Sequence, residues 1–284
     1  MKKYNDIYID ARRQLKNGGD EDYNIDARVI VAAAAGKTVS ELIRDFSLYA
    51  TDRIVETAES YVERRLNGEP LAYITESTEF YGIPIIVKKG VLIPRSDTEL
   101  LVETAIDLLT GRKMDARILD LCTGTGCIAC AIAHEMPATR IVAIDKSEEA
   151  LFVCRKNISA LGLTDRVTSM KADVTCPPPM SIGKFDMIIS NPPYVRTEEI
   201  KTLDSSVKDY EPVSALDGGH EGVNFYKSII KFYKSNLLDN GYVIFELAED
   251  QYDIVEQMLS DAGFKYIDYR LDTQGYKRAI VARI

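Results

Sequence analysis

Asn191-Pro192-Pro193-Tyr194 is the stretch whose residue types bear most directly on chemistry. A carboxamide or aryl-amine nitrogen is a poor nucleophile, because resonance withholds its lone pair. Two hydrogen-bond acceptors aimed at its N–H protons hold such a nitrogen and raise its electron density as it pyramidalises. The Asn191 side-chain oxygen and the Pro192 main-chain carbonyl are acceptors of that kind. The prolines restrict the backbone, so the carbonyl points one way, a preorganisation that favours the transition state. Tyr194 supplies a ring that can lie on a planar group and meet a nearby cation by cation–π contact. No general base is demanded, since a nitrogen that gains a methyl becomes acidic and sheds its proton late. The bland alternative is a loop, because Asn-Pro and Pro-Pro end strands in many settings.

A second constellation lies upstream. Asp120-Leu121-Cys122-Thr123-Gly124-Thr125-Gly126 joins an apolar run to a helical one. Glycines permit the tight turn and the close approach of a ligand, at the crevice where open α/β sheets bind. Asp145 closes the next apolar run and offers two oxygens to ribose hydroxyls, while Asp173, after the third, suits the exocyclic amine of an adenine. Together they point to a nucleoside cofactor. The segment from Gly124 to Ala129 also fits the dinucleotide fingerprint G-x-G-x-x-A, with Asp145 near its acidic position. Asp120 argues the other way. A pyrophosphate at a helix N-terminus wants positive potential, whereas S-adenosylmethionine has no phosphate and carries an ammonium and a sulfonium. A tight turn without a ligand is the third reading. Cys122, Cys127 and Cys130 have the C-x4-C-x2-C spacing of a plant-type iron–sulfur site. They straddle the glycine loop and a helix start, however, and His134 and His220 lie far apart, so no metal site is expected.

These groups need a scaffold. Up to about residue 69 only helical periodicity is present: one helix before Gly18-Gly19, one over about 25–35 stopped by Gly36, a short one capped by Thr38 or Ser40, and one from Asp52 to Leu66. Residues 70–95 read as a linker with a β-hairpin around Tyr81-Gly82, its second strand running as far as Ile93. From Ser96 onward, an amphipathic helix leads into alternating elements. Strands are predicted over 117–121, 140–144, 166–171, 185–190, 241–247, 264–271 and 276–283. Helices are predicted to His134 and over 147–160, 224–238 and 250–262. The last two strands are joined by four residues, too few for a crossover, so they are antiparallel. The fold class is therefore α/β: a Rossmann-like, mostly parallel sheet with an antiparallel last strand, a small N-terminal helical domain (1–69) and a connecting hairpin (70–95), the main domain spanning 96–284.

The chain has 284 residues, 46% of them hydrophobic, and a net charge of −9, so it is neither disordered nor built to grip a long nucleic-acid backbone. The N-terminus has no apolar signal region, and no apolar run is long enough to span a membrane. Five cysteines without an export signal suit reduced thiols in the cytoplasm.

The chain resembles the HemK/PrmC-type glutamine-N5 methyltransferases that modify peptide chain release factors. The likeness rests on the helical N-domain, Gly68-Glu69-Pro70-Leu71-Ala72-Tyr73-Ile74, Pro94-Arg95-Ser96-Asp97-Thr98-Glu99, the glycine loop, Asn191 to Tyr194, Glu211-Pro212, Ala215-Leu216 and Gly218-Gly219. The tetrapeptide alone is shared with adenine-N6 nucleic-acid methyltransferases, which form the alternative reading. The resemblance implies a class I methyltransferase sheet and S-adenosyl-L-methionine held by Cys122, Thr123, Gly124, Thr125, Gly126, Asp145, Asp173, Val174 and Asn191. Arg95, Thr98 and Glu99 would lie near the cofactor's methionine end. A release-factor glutamine, from a Gly-Gly-Gln motif, would be held by Asn191, Pro192, Pro193 and Tyr194, and the N-domain would dock the substrate. Cys122 stands where the family usually has Gly, an exchange free of strain only at negative φ. Val174 replaces a common aromatic, and Ala248 replaces a common Gly.

Overall fold

The computed structural model describes residues 1–284. The chain divides into two compact units, residues 1–78 with 204–210, and residues 79–203 with 211–284.

The first unit is helical: α1 (Tyr4–Asn17), α2 (Tyr23–Ala35), α3 (Val39–Arg44), α4 (Asp52–Leu66) and α5 (Leu71–Thr75). Ile7, Leu15, Ile30, Leu42 and Val62 fill its core at helical spacing. Thr38 caps α3 in a reciprocal pair with Glu41, each side chain bonded to the other's main-chain N–H. Gly36 ends α2 in the left-handed conformation. Residues 204–210, which lie in the long stretch after the fourth strand of the main sheet, return to this unit. There the Tyr210 hydroxyl donates to the Asn67 carbonyl at 2.8 Å.

The hairpin pairs β1 (Ser77–Phe80) with β2 (Ile83–Ile86). Its second strand stops at Ile86 instead of running to Ile93. Beyond that point a side chain takes over as pairing partner: Asn157 accepts from the Ile86 N–H at 2.7 Å and donates to its carbonyl at 3.0 Å.

The main sheet has seven strands: β3 (Arg117–Leu121), β4 (Arg140–Asp145), β5 (Val167–Lys171), β6 (Phe185–Ser190), β7 (Leu237–Glu246), β8 (Lys265–Leu271) and β9 (Lys277–Arg283), in the order β5-β4-β3-β6-β7-β9-β8. The first five are parallel, and β9 runs antiparallel to both β7 and β8. The helices of this unit are α6 (Glu99–Leu109), α7 (Cys127–Glu135), α8 (Glu148–Ala160), α10 (Asn224–Tyr233) and α11 (Tyr252–Asp261); α9 (Ser205–Lys208) lies in the returning segment. One core cluster packs Phe185, Tyr226, Tyr233, Phe245 and Val255 around β6 and β7. Helix α10 ends at Tyr233, not Leu238. Leu237 is drawn into the sheet opposite Phe185, so β7 begins four residues earlier than its apolar pattern suggested. Strand order reverses at β3, where β4 and β5 lie to one side and β6 and β7 to the other, which is the switch point at which such sheets bind ligands.

Candidate active site

Register assembles the site. Leu121 on β3 is level with Ile144 on β4 and Ser190 on β6, and Ser190 is level with Phe245 on β7. The next residues, Cys122, Asp145, Asn191 and Glu246, therefore stand at one edge. Asp145 is in turn level with Lys171, which brings Asp173 to the same edge two residues later.

A cleft of about 820 Å³ opens over these strand ends, a volume suited to a nucleoside-sized ligand. Cys122, Thr123, Gly124, Thr125 and Asp145 line it, as do Asp173 and Val174, and Arg95, Thr98, Asn191 and Pro193. Four expected site residues sit outside the lining. Gly126 is a packing position: a Cβ there would meet Cys154 Sγ at 2.6 Å, so glycine lets α7 approach α8. Pro192 is buried, and Tyr194 is half-buried behind the turn. Glu99 is turned toward the hairpin, where its carboxylate accepts the Tyr81 N–H at 2.7 Å. Its place on the first turn of α6 aims it away from the cleft that Thr98 faces.

The carboxylates have different surroundings. Asp145 accepts the main-chain N–H of Gly124 through Oδ2 and of Ser147 through Oδ1, both at 2.9 Å. Burial pushes its pKa up, and these donors pull it back. Asp173 is also partly desolvated, but Lys146 at 2.7 Å and the Thr175 hydroxyl and N–H outweigh that and hold it at about 2. Asp120 does not line the cleft. It is wholly buried beneath the loop, takes the Thr123 hydroxyl at 2.5 Å, and leaves Oδ1 without a partner. Burial raises it to about 7. Its influence on a ligand is therefore through the loop and not by contact. Cys122 has φ +58°, the left-handed region, contrary to the negative φ that an unstrained cysteine needs.

The Asn191 turn is held from behind. Asn191 Nδ2 donates to Thr98 Oγ1 at 2.9 Å, which leaves Oδ1 as the free end of its carboxamide. The Tyr194 hydroxyl donates to Glu246 Oε1 at 3.0 Å. Gln251 donates to the carbonyls of Tyr194 (2.9 Å) and Gly222 (3.2 Å) and accepts from the Tyr226 hydroxyl and the Ala248 N–H. Gly218 passes so close that a Cβ would lie 2.7 Å from Tyr194 Cα. The turn is thus fixed by neighbours on three sides, as preorganised acceptors require.

Several residues of this assembly were not anticipated. Phe225 lines the cleft with an aromatic ring, opposite in chemistry to the aliphatic Val174. Pro212 and Val213 complete the rim, and the nearby Glu211 carboxylate, buried, is paired with Arg95. Glu246 carried a readable signal: an acid closing the apolar run Val243-Ile244-Phe245. Asn157 carried none, because a single Asn in an amphipathic helix looks like a surface residue.

Known proteins similar to this chain fall in the same fold class. Residues 6–75 match the family described as PrmC N-terminal domain, and residues 96–207 match the family described as Methyltransferase small domain. A release factor glutamine methyltransferase of Clostridium acetobutylicum is 35% identical over 280 residues, covering 99% of this chain and 98% of that one. Its counterpart in Thermodesulfovibrio yellowstonii is 41% identical over 236 residues, covering 81% and 82%. Among solved structures, a methyltransferase from Pyrococcus furiosus shares the fold, with a TM-score of 0.53 at 17% identity, over 79% of this chain and 98% of that one.

Proposed function

This chain belongs to the release factor glutamine methyltransferase family, and on that premise we propose that it transfers a methyl group from S-adenosyl-L-methionine to the side-chain amide nitrogen (N5) of a glutamine, that of the Gly-Gly-Gln motif of peptide chain release factors. The observation that carries the reading is the Asn191 carboxamide. Its amine end is engaged by Thr98, and its oxygen remains for an incoming N–H beside the cleft.

The donor set fits this cofactor better than a dinucleotide. One loop N–H, that of Gly124, is already taken by Asp145 and so is closed to a pyrophosphate. When bound, the cofactor supplies an electrophilic methyl on a sulfonium and leaves as S-adenosyl-L-homocysteine. Asp145, held by two main-chain donors, would take the ribose hydroxyls. Val174 and Phe225 would cover the adenine, with Asp173 at its amine. Arg95 and Thr98 would face the methionine end.

Asn191 Oδ1 and the Pro192 carbonyl would hold the two amide protons of the glutamine. As the nitrogen pyramidalises, both bonds strengthen, so they stabilise the transition state more than the ground state. Tyr194, anchored on Glu246, stiffens the turn. The nitrogen loses its proton after methylation, when it is acidic, and no histidine of this chain is needed for the step. The helical unit would dock the release factor in the cytoplasm, and methylation would modulate translation termination.

The test is mass analysis of a purified release factor after incubation with enzyme and S-adenosyl-L-methionine. The expected result is a gain of one methyl group, mapped to the glutamine of Gly-Gly-Gln. Methyl incorporation into DNA or RNA instead of the release factor would favour the adenine-N6 alternative and defeat this reading.

A further inference from the structure

Gln251 is wholly buried at the start of α11, and both ends of its carboxamide are fully engaged. Nε2 donates to the carbonyls of Tyr194 at 2.9 Å and Gly222 at 3.2 Å. Oε1 accepts from the Ala248 N–H and from the Tyr226 hydroxyl, each at 3.2 Å. A carbonyl only accepts and a main-chain N–H only donates, so three of these partners cannot exchange roles. The flipped amide would set its oxygen against two carbonyls and its NH2 against an N–H. One orientation is therefore imposed on it.

The Tyr194 carbonyl is the end of the Asn191 turn. Beyond it the chain is paired: the Val195 N–H donates to the Leu216 carbonyl at 2.9 Å, and the Gly218 N–H to the Val195 carbonyl at 2.8 Å. That pairing stops at Val195, and Gln251 takes over one residue earlier. At the other end of the turn, Asn191 is held on Thr98. Between the two anchors, the rings of Pro192 and Pro193 fix φ, and the Pro192 carbonyl accepts no hydrogen bond from the rest of the chain. Its direction is set by how the two ends are held.

We propose that Gln251 is a positioning residue for methyl transfer: by tying the Tyr194 carbonyl to the Gly222 loop, it fixes the direction of the Pro192 carbonyl, the second acceptor of the turn. This role rests on the reading of Asn191 and Pro192 as the acceptors of a glutamine amide, and it adds what aims the second of them.

The same contact explains the glycines of the segment 218–222. A Cβ on Gly218 would lie 2.8 Å from the Pro193 carbonyl oxygen, and one on Gly222 would fall against the Tyr194 carbonyl and 2.5 Å from Gln251 Nε2. Gly222 also has φ +72°, a conformation that glycine adopts freely. The glycines let this segment close on the main chain of the turn, and Gln251 bonds the two together.

Gln251→Met keeps the length of the side chain and removes its hydrogen bonds. It is expected to lower kcat by about 10- to 100-fold, since a misplacement of about 1 Å in a reacting group costs on the order of 10²-fold. Release-factor KM and S-adenosyl-L-homocysteine affinity should change little, and the stoichiometry of that binding counts the folded enzyme. A role confined to the fold would lower Tm and leave kcat per folded molecule as it was. Gly222→Ala strains the same contact from the other side and should give the same split, so it carries the test if Gln251→Met does not fold. Wild-type kcat in either folded variant, with Asn191→Ala inactive, would overturn the positioning role and leave the proposed function standing. Failure of both variants to fold would assign Gln251 to stability alone and overturn it too. Wild-type kcat in Asn191→Ala would overturn the reading of the turn itself.

Discussion

The main-chain N–H of Gly124 donates to Asp145 Oδ2 across 2.9 Å, so the first glycine of the loop and the acid closing β4 hold each other in place. Asp145 is thereby oriented before any ligand arrives, with Ser147 fixing its other oxygen. Asp145→Ala is expected to weaken S-adenosyl-L-homocysteine binding by about 10- to 100-fold, the worth of a charged pair of hydrogen bonds to the ribose. Calorimetric titration measures it. Unchanged affinity would take the ribose away from Asp145.

Asn191→Ala separates binding from chemistry. It removes an acceptor that strengthens only as the nitrogen pyramidalises, and it leaves the glycine loop intact. Turnover on a release factor should fall by at least ~10²-fold, with cofactor affinity close to that of the wild type. A rise in KM with kcat unchanged would mean that Asn191 binds substrate and transition state equally.

Cys122 bears a backbone cost. Its φ of +58° is the conformation that glycine adopts freely and that a β-branched residue tolerates least. Cys122→Val should be less stable than the wild type, and Cys122→Gly, freed of a left-handed cost of about 1–2 kcal/mol, should be at least as stable as the wild type. Denaturant unfolding of the three proteins gives the order directly, and a valine variant as stable as the glycine one would remove the strain argument.

The elements around this cysteine were readable because their patterns are strong. The run Arg117–Leu121 is bounded by a glycine turn, β4 ends on Asp145, and the apolar spacing of α7 changes period where the loop closes. Four strand ends share one edge, so the positions of Cys122, Asp145, Asp173 and Asn191 followed from the strands alone. What escaped depends on contacts distant in sequence. Leu237 extends β7 because Phe185 waits across the sheet. Glu99 leaves the cleft because Tyr81, eighteen positions earlier, offers it an N–H. Gln251 reaches four groups from four different segments, which no local pattern records.

Asp120 makes stability depend on pH. Burial lifts it to about 7, against the Thr123 hydroxyl and the Ala129 N–H, and above the value of an unfolded carboxylate. The folded protein thus keeps a proton that the unfolded chain has already shed. Its contribution falls as pH climbs from the unfolded value to about 7, by a few kcal/mol, and the full penalty applies above that. Asp120→Asn should flatten the decline of Tm between about pH 4 and about pH 7. Some slope should remain, since Glu246 is raised in the same direction. A slope identical to the wild type would show that Asp120 does not titrate in that range.

Asn157 ties the glycine loop to the hairpin. It is fully buried on α8, accepts the Ile86 N–H at 2.7 Å, and donates to the carbonyls of Ile86 at 3.0 Å and Thr125 at 2.9 Å. Leucine has nearly its shape and none of its hydrogen bonds. Asn157→Leu would bury one N–H and two carbonyls without those partners, at about 1–3 kcal/mol for each group left unpaired. Two of these groups belong to Ile86, at the end of β2, and the third to the loop that lines the cleft. The loss should therefore be local as well as global: hydrogen exchange should quicken at residues 123–126 and at Ile86, and cofactor affinity should fall with it. A variant that loses stability while the loop amides exchange at the wild-type rate would show that Asn157 supports the packing of α8 alone.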